Sequence, residues 1–292
     1  MIIGTHSTLP PYKVAETFDV VYGTADGYWQ EAPKDGHAVL KLLSLKRSDK
    51  QPLDLTMDIF TPEGLAAPKP LFFTMHGGAF YMGSKSELAH REFCRYFASR
   101  GYVAVSVNYR MGFKGLGNDY LRAEDDALDD AVSALHYLSC RQDLGIDPDR
   151  VFLAGSSAGA ATMLRVAYQK ENPIPFRLRA VAVMWGYVRD LGYLACNQVP
   201  LLTFQSERDP LVPYGIGYPA KVLRGSNKMY GTLAISRHAR ELGIPVEHHP
   251  YPERRHALYL TDRGDLSPRY FEIREAMEHF FDHNISLINT TL

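Results

Sequence analysis

Arg150-Val151-Phe152-Leu153-Ala154-Gly155-Ser156-Ser157-Ala158-Gly159 is the stretch whose reading decides the fold. An apolar run rich in β-formers ends abruptly in Gly-x-Ser-x-Gly, and Ala160, Ala161, Met163, Leu164, Val166 and Ala167 beyond it suit a helix. The predicted order is strand, sharp turn, helix. The positions flanking the turn must lack bulk, because the chain reverses so tightly that side chains there would strike the neighbouring strand. The central residue is held strained with its side chain exposed. Ser157 is therefore the candidate nucleophile. The same five residues also occur as a plain glycine-serine turn without chemistry, so the surroundings must decide.

Working outward, the continuous apolar run Leu71-Phe72-Phe73-Thr74-Met75 predicts a strand covered on both faces, as do 103–107, 180–184 and 201–204. Helical patterns fall between them at 86–100, 119–140 and 231–242; a strand at 246–251 and a closing helix over 268–283 follow. Strands alternating with helices imply a mostly parallel sheet wrapped on both faces. Leu53, Leu55, Met57 and Ile59 alternate with polar residues, the period-2 signal of a half-exposed strand, and pair across a turn at 49–51 with a strand predicted at 39–45. The chain thus opens with antiparallel strands. Residues 1–36, carrying Pro10, Pro11, Gly23, Gly27 and Pro33, are expected to form an irregular lead-in with at most one strand near 18–22. The whole of 1–292 is expected to be one α/β domain.

Composition narrows the function classes. The 32 basic against 33 acidic side chains, with no long basic run, give no footprint for nucleic acid or an anionic membrane. No apolar run approaches the roughly 18 residues of a membrane span, and the first dozen residues lack a signal-peptide pattern, so the chain is expected to be cytoplasmic, or exported with its leader trimmed. The three cysteines, Cys94, Cys140 and Cys196, are far apart and read as buried free thiols, with one disulfide plus a free thiol as the alternative. The acidic cluster Glu124, Asp125, Asp126, Asp129 and Asp130 reads as a solvated helix face rather than a metal site. No metal or organic cofactor is called for.

In such sheets, sites gather in loops at the carboxyl ends of strands. His76-Gly77-Gly78-Ala79-Phe80 directly follows the strand at 71–75. Acyl transfer builds charge on the former carbonyl oxygen, and backbone amides of glycines approach it most closely; Gly77, Gly78 and Ala158 would supply three donors. His76 belongs to that loop and reads as an anchor. A serine hydroxyl needs a base oriented by a carboxylate, and the expected chain order is serine, acid, histidine. Asp209, in an Asp-Pro turn past the strand at 201–204, is the expected acid, with Glu207 and Asp262 as rivals. His256, in the loop after the last strand, is the expected base. His248 and His249 lie inside that strand, one predicted to face the core and the other to lie under a helix, and the remaining histidines have no such context.

With these residues in view the chain resembles the α/β-hydrolase superfamily, from about Leu53 onward. Within it the sequence is most similar to carboxylesterases and lipases with a His-Gly-Gly oxyanion loop, such as the hormone-sensitive-lipase-like esterases and bacterial acetyl- and feruloyl-esterase relatives. Asn108-Tyr109-Arg110 resembles the Asp/Asn-Tyr-Arg of that family, which implies a brace for the oxyanion loop. Ala79 stands where the family often has a third glycine. The resemblance implies an α/β-hydrolase fold with a minimal cap, acting on short-acyl esters of small molecules or of decorated glycans. The insertion at 185–197 is too short for a multi-helix lid, which predicts an open site. Phe80, Tyr81, Trp185 and Tyr187 are candidates to line the substrate pocket, with the glycine- and tyrosine-rich segment 213–230 as a mobile wall. A peptidase of the same fold and a non-catalytic binding module are the alternatives; oligomeric state is left open.

Overall fold

The computed structural model describes residues 11–31, 49–114, 118–169, 173–219 and 228–286. The strand predicted at 39–45 lies outside them. In chain order the elements are β1 (Val14–Gly27), β2 (Gln51–Pro62), β3 (Lys69–Met75), α1 (Leu88–Ser99), β4 (Val103–Val107), α2 (Asn118–Ser139), β5 (Ile146–Ser156), α3 (Ala158–Tyr168) and β6 (Leu178–Met184). Then come β7 (Tyr187–Val188), β8 (Leu201–Ser206), β9 (Ile216–Gly217), β10 (Met229–Gly231), α4 (Thr232–Glu241), β11 (Val246–Tyr251) and α5 (Pro268–Ser286).

Eight strands form the main sheet in the order β1-β2-β4-β3-β5-β6-β8-β11. β1 runs antiparallel to β2 and β2 antiparallel to β4, whereas every pair from β4 to β11 is parallel. This is the α/β-hydrolase fold. Because successive side chains of a strand point to opposite faces, even the wholly apolar strands sort into two cores. Leu71, Phe73, Val105, Leu153 and Val183 pack under α2, α3 and α4. Phe72, Ala104, Phe152, Ala182 and Phe204 pack with Phe93 and Phe97 of α1 and Ile273, Met277 and Phe281 of α5.

Several sequence expectations are corrected. The lead-in is not loose over 14–27: β1 is a 14-residue strand paired along β2. Register shifts between Thr17 and Val20 and between Val21 and Gly23, with Asp19 at φ 57°, break the alternation that would have announced it. Only part of the acidic cluster of α2 is a solvated face: Asp125 and Asp129 are exposed and Asp126 is half-buried, but the other two residues are not. Asp130 is buried against Arg110 (2.7 Å), and Glu124 is buried against Arg189 (2.6 Å) and the Tyr187 hydroxyl (2.5 Å). Cys94 is buried, but Cys140 and Cys196 are exposed; all three are free thiols. No helix among the described residues is long and apolar enough to cross a membrane.

Candidate active site

Ser157 occupies the turn between β5 and α3 at φ 52°, ψ −116°, and its amide is held by the Met184 carbonyl at 2.9 Å. That left-handed conformation is strained for a residue with a Cβ and persists because the surroundings fix it. The two flanking glycines have a steric reason. A Cβ on Gly155 would lie 2.6 Å from the Gly159 carbonyl, and one on Gly159 would lie 2.2 Å from the Met75 carbonyl oxygen. The start of α3 therefore rests directly on the end of β3, which brings the loop 76–83 to the serine. A Cβ on Gly77 would be 3.0 Å from that of Ser157.

The structure brings together the three side chains singled out in the sequence. His256 Nε2 lies 2.8 Å from Ser157 Oγ, and His256 Nδ1 lies 2.8 Å from Asp209 Oδ2. The Asp209 side chain is fully buried, and its other oxygen accepts from the Leu211 and Val212 amides at 2.8 and 3.1 Å. These bonds fix its orientation. With the carboxylate on Nδ1, the neutral imidazole carries its proton there and presents a lone pair to Ser157. The rivals lie elsewhere: Glu207 is exposed, and Asp262 pairs with Arg255 at 2.7 Å. His248 is held by Thr203 and Tyr214 (2.7 and 2.8 Å), and His249 stacks on Phe204. Among the described residues β11 is an edge strand, so both are half-buried rather than enclosed: His249 faces the core residue Phe204, and His248 lies against Ser236 of α4 at 3.4 Å.

The loop 76–83 is over-determined. Ala79 and Phe80 have φ 54° and 57°, Gly78 and Gly83 are also left-handed, and the Gly78 carbonyl accepts from the Tyr81 and Met82 amides. His76 is buried, stacks on Tyr109 and contacts the Gly77 carbonyl through Nδ1 at 2.7 Å; burial pushes its pKa down to about 4, so the ring is neutral. The Tyr109 hydroxyl donates to the His76 and Gly77 carbonyls at 3.1 and 3.2 Å, and Asn108 Oδ1 accepts from the Lys85 amide at 2.6 Å. Asn108 and Tyr109 thus brace the loop. Lys85, itself buried, anchors the loop's far end to Asp58 (2.8 Å) and Asp19 (2.7 Å). The Ala158 amide, first in α3, has no acceptor within its own helix.

The four aromatics suggested for the pocket are all buried. Phe80 and Tyr187 line a cavity of about 210 Å³ with Leu121, Ala161, Thr162 and Tyr193. Tyr81 instead packs on Trp29 and Phe113, and Trp185 packs beneath His256 and Tyr259. The 185–197 insertion is only β7 and a 3-10 turn at Leu191–Cys196. The ends of the 213–230 segment form β9 and β10 of a small sheet with β7; its centre, 220–227, lies outside the described residues.

Sequence reasoning missed a second buried set beside the serine. Ser156 Oγ lies 2.9 Å from His90 Nε2 and 3.0 Å from the Tyr259 hydroxyl, which reaches Glu87 at 3.0 Å. These partners are 66 to 172 residues apart, and only the polar Ser156 at the end of the apolar run from Val151 to Gly155 hinted at them.

Residues 46–171 match the model of the Carboxylesterase family, a different branch from the hormone-sensitive-lipase-like esterases. Gut esterase 1 of Caenorhabditis elegans is 32% identical over 112 residues, covering 37% of this chain and 20% of that protein. Lipase 2 of a Moraxella strain is 29% identical over 220 residues, 70% of this chain and 46% of that one. The chain thus spans less than half the length of these curated relatives. Among solved structures, Thermogutta terrifontis esterase 2, phosphoramylated by tabun, superimposes with a TM-score of 0.63 at 20% identity, over 79% of this chain and 90% of that one.

Proposed function

We propose that the chain is a serine carboxylesterase, a carboxylic ester hydrolase working through an acyl-enzyme. The observation that carries this is the His256 ring bridging Ser157 Oγ and the buried Asp209 carboxylate at 2.8 Å on each side. Ser157 Oγ attacks the ester carbonyl carbon while His256 Nε2 takes its proton. The oxygen that gains negative charge is received by the Gly77, Gly78 and Ala158 amides, each worth on the order of 3 kcal/mol to the transition state. The imidazolium, stabilised by Asp209, returns the proton to the departing alkoxide, and water repeats the sequence to release the acid. Matches to the Carboxylesterase family and to esterases and lipases support this chemistry.

The cavity of about 210 Å³ beside Phe80 and Ala161, whose walls also carry Glu124, Asp125, Arg165 and Arg189, has room for a short acyl group such as acetyl, and the small 185–197 insertion leaves room for a bulky alcohol such as a glycan; a feruloyl ester presents the larger acyl group. The His76-Gly77-Gly78 loop also keeps the likeness to the hormone-sensitive-lipase-like esterases. The test is a nitrophenyl ester series from acetate to decanoate beside acetylated and feruloylated xylan. Fluorophosphonate labelling of wild type and Ser157→Ala accompanies it. Turnover falling with chain length and labelling lost in Ser157→Ala are expected. Faster cleavage of aminoacyl amides than of esters would replace the assignment with a peptidase. A wild-type chain that neither turns over esters nor takes the label would make it a non-catalytic module.

A further inference from the structure

The Ser156 set resembles a second nucleophile at first sight, with a serine, a histidine at 2.9 Å, and Glu87 4.0 Å from that histidine. Burial rules this out, since Ser156 and His90 have no exposed surface and no substrate reaches them. What the set does is join three chain segments at one hydroxyl and a fourth through the His90 ring. Ser156 directly precedes Ser157, and Tyr259 lies three residues past His256 on the same loop. Glu87 and His90 mark the start of α1, and Thr74, 2.8 Å from His90 Nδ1, lies two residues before the 76–83 loop. A polar cluster in an apolar core offers little net stability over a well-packed apolar one, so its value lies in geometry. The Tyr259 hydroxyl is the donor toward Ser156 Oγ and also reaches Glu87 Oε1, while the two ring nitrogens of His90 bridge Ser156 Oγ and Thr74 Oγ1.

We propose that Ser156 and Tyr259 form a buried clasp that fixes the distance between Ser157 and His256, making both positioning residues for the esterase chemistry. The inference rests on the function proposed above. Residues 252–259 contain no helix or strand. Arg208 holds the Pro252 carbonyl, Arg269 holds Glu253, and Ser267 holds the Leu258 and Tyr259 carbonyls, but these contacts come from the β8 end and from the start of α5 and not from β5. Among the described residues the His256 ring is located by its two hydrogen bonds and by Trp185. Tyr259, buried against Trp185 at 4.8 Å, is the side chain that couples this loop to the strand carrying the nucleophile.

The test compares Tyr259→Phe, Ser156→Ala and the double variant with wild type, measuring steady-state turnover of nitrophenyl acetate and both the rate and end-point of fluorophosphonate labelling. Tyr259→Phe keeps the ring packing and removes only the hydroxyl, and Ser156→Ala carries the test should that variant fold poorly. The expected result is a fall in kcat of about 10- to 100-fold with KM little changed. Labelling should slow in step yet reach full stoichiometry, and the double variant should be no slower than the worse single. Labelling at wild-type rate overturns the clasp, whether the end-point is full or reduced. Additive losses in the double variant overturn it too. A wild-type chain inert to both ester and label would instead sink the esterase assignment itself, so the two failures are distinguishable.

Discussion

Replacing Gly159 with alanine tests whether backbone contact between α3 and β3 sets the site. The added Cβ falls 2.2 Å from the Met75 carbonyl oxygen and 2.5 Å from that of His76, where real contacts stay above 3.0 Å. Both obstacles are backbone, so no side chain can swing away; the helix start must lift from the strand end by about 0.8 Å, the difference between 3.0 and 2.2 Å. Overpacking of this kind costs about 1–3 kcal/mol. The larger effect is on chemistry, because the same movement carries Ser157 and the Ala158 amide away from Gly77 and Gly78. A misplacement near 1 Å lowers turnover on the order of 100-fold. Gly159→Ala should therefore lose kcat on nitrophenyl acetate by that factor while urea unfolding shows a loss of only a few kcal/mol. Gly23→Ala is the control, since its Cβ meets nothing within 4 Å. Wild-type kcat in Gly159→Ala would refute the claim that this contact positions the oxyanion donors.

Three further outcomes are expected. Asp209→Asn removes the group that holds the His256 tautomer and should lower kcat by roughly 10³- to 10⁴-fold with little change in KM; a loss under tenfold in steady-state assays would argue against the assignment. Lys85→Met strands the buried Asp58 carboxylate and should cost about 3–5 kcal/mol in urea melts, partly recovered by adding Asp58→Asn; no recovery would show that the charge is not the cause. Burial pushes His76 and His90 down to about 4 and about 3, against about 6.5 in the unfolded chain, so below pH 6.5 the unfolded chain binds protons that the folded one refuses. Their contribution leaves stability full above pH 6.5 and lowers it progressively as pH falls toward 3. Chemical melts of wild type and a His76→Gln, His90→Gln double variant at pH 7 and pH 4.5 should diverge in slope, and parallel slopes would reject the mechanism.

The α/β alternation was legible because the strands of a covered parallel sheet are short, apolar and separated by helical periods; β4 and β11 coincide with their predicted limits. Ser157, Asp209, His256 and the 76–78 loop were legible because each follows a strand end. β1 was hidden because its irregular register hides the period-2 signal. The burial of Glu124 and Asp130 was hidden because their partners Arg189 and Arg110 belong to distant segments, and charge alone does not say which face a neighbour will cover. The Ser156 junction was hidden for the same reason.

The nucleophile and base follow strands with very different neighbours: β5 is flanked by β3 and β6, whereas among the described residues β11 pairs only with β8 at the sheet's margin. Local opening is cheapest where a strand has one partner. Mild heat or denaturant should therefore detach the imidazole while the hydroxyl and its glycine surroundings remain in place. Inactivation would then come first and reverse on cooling, well before the molecule melts.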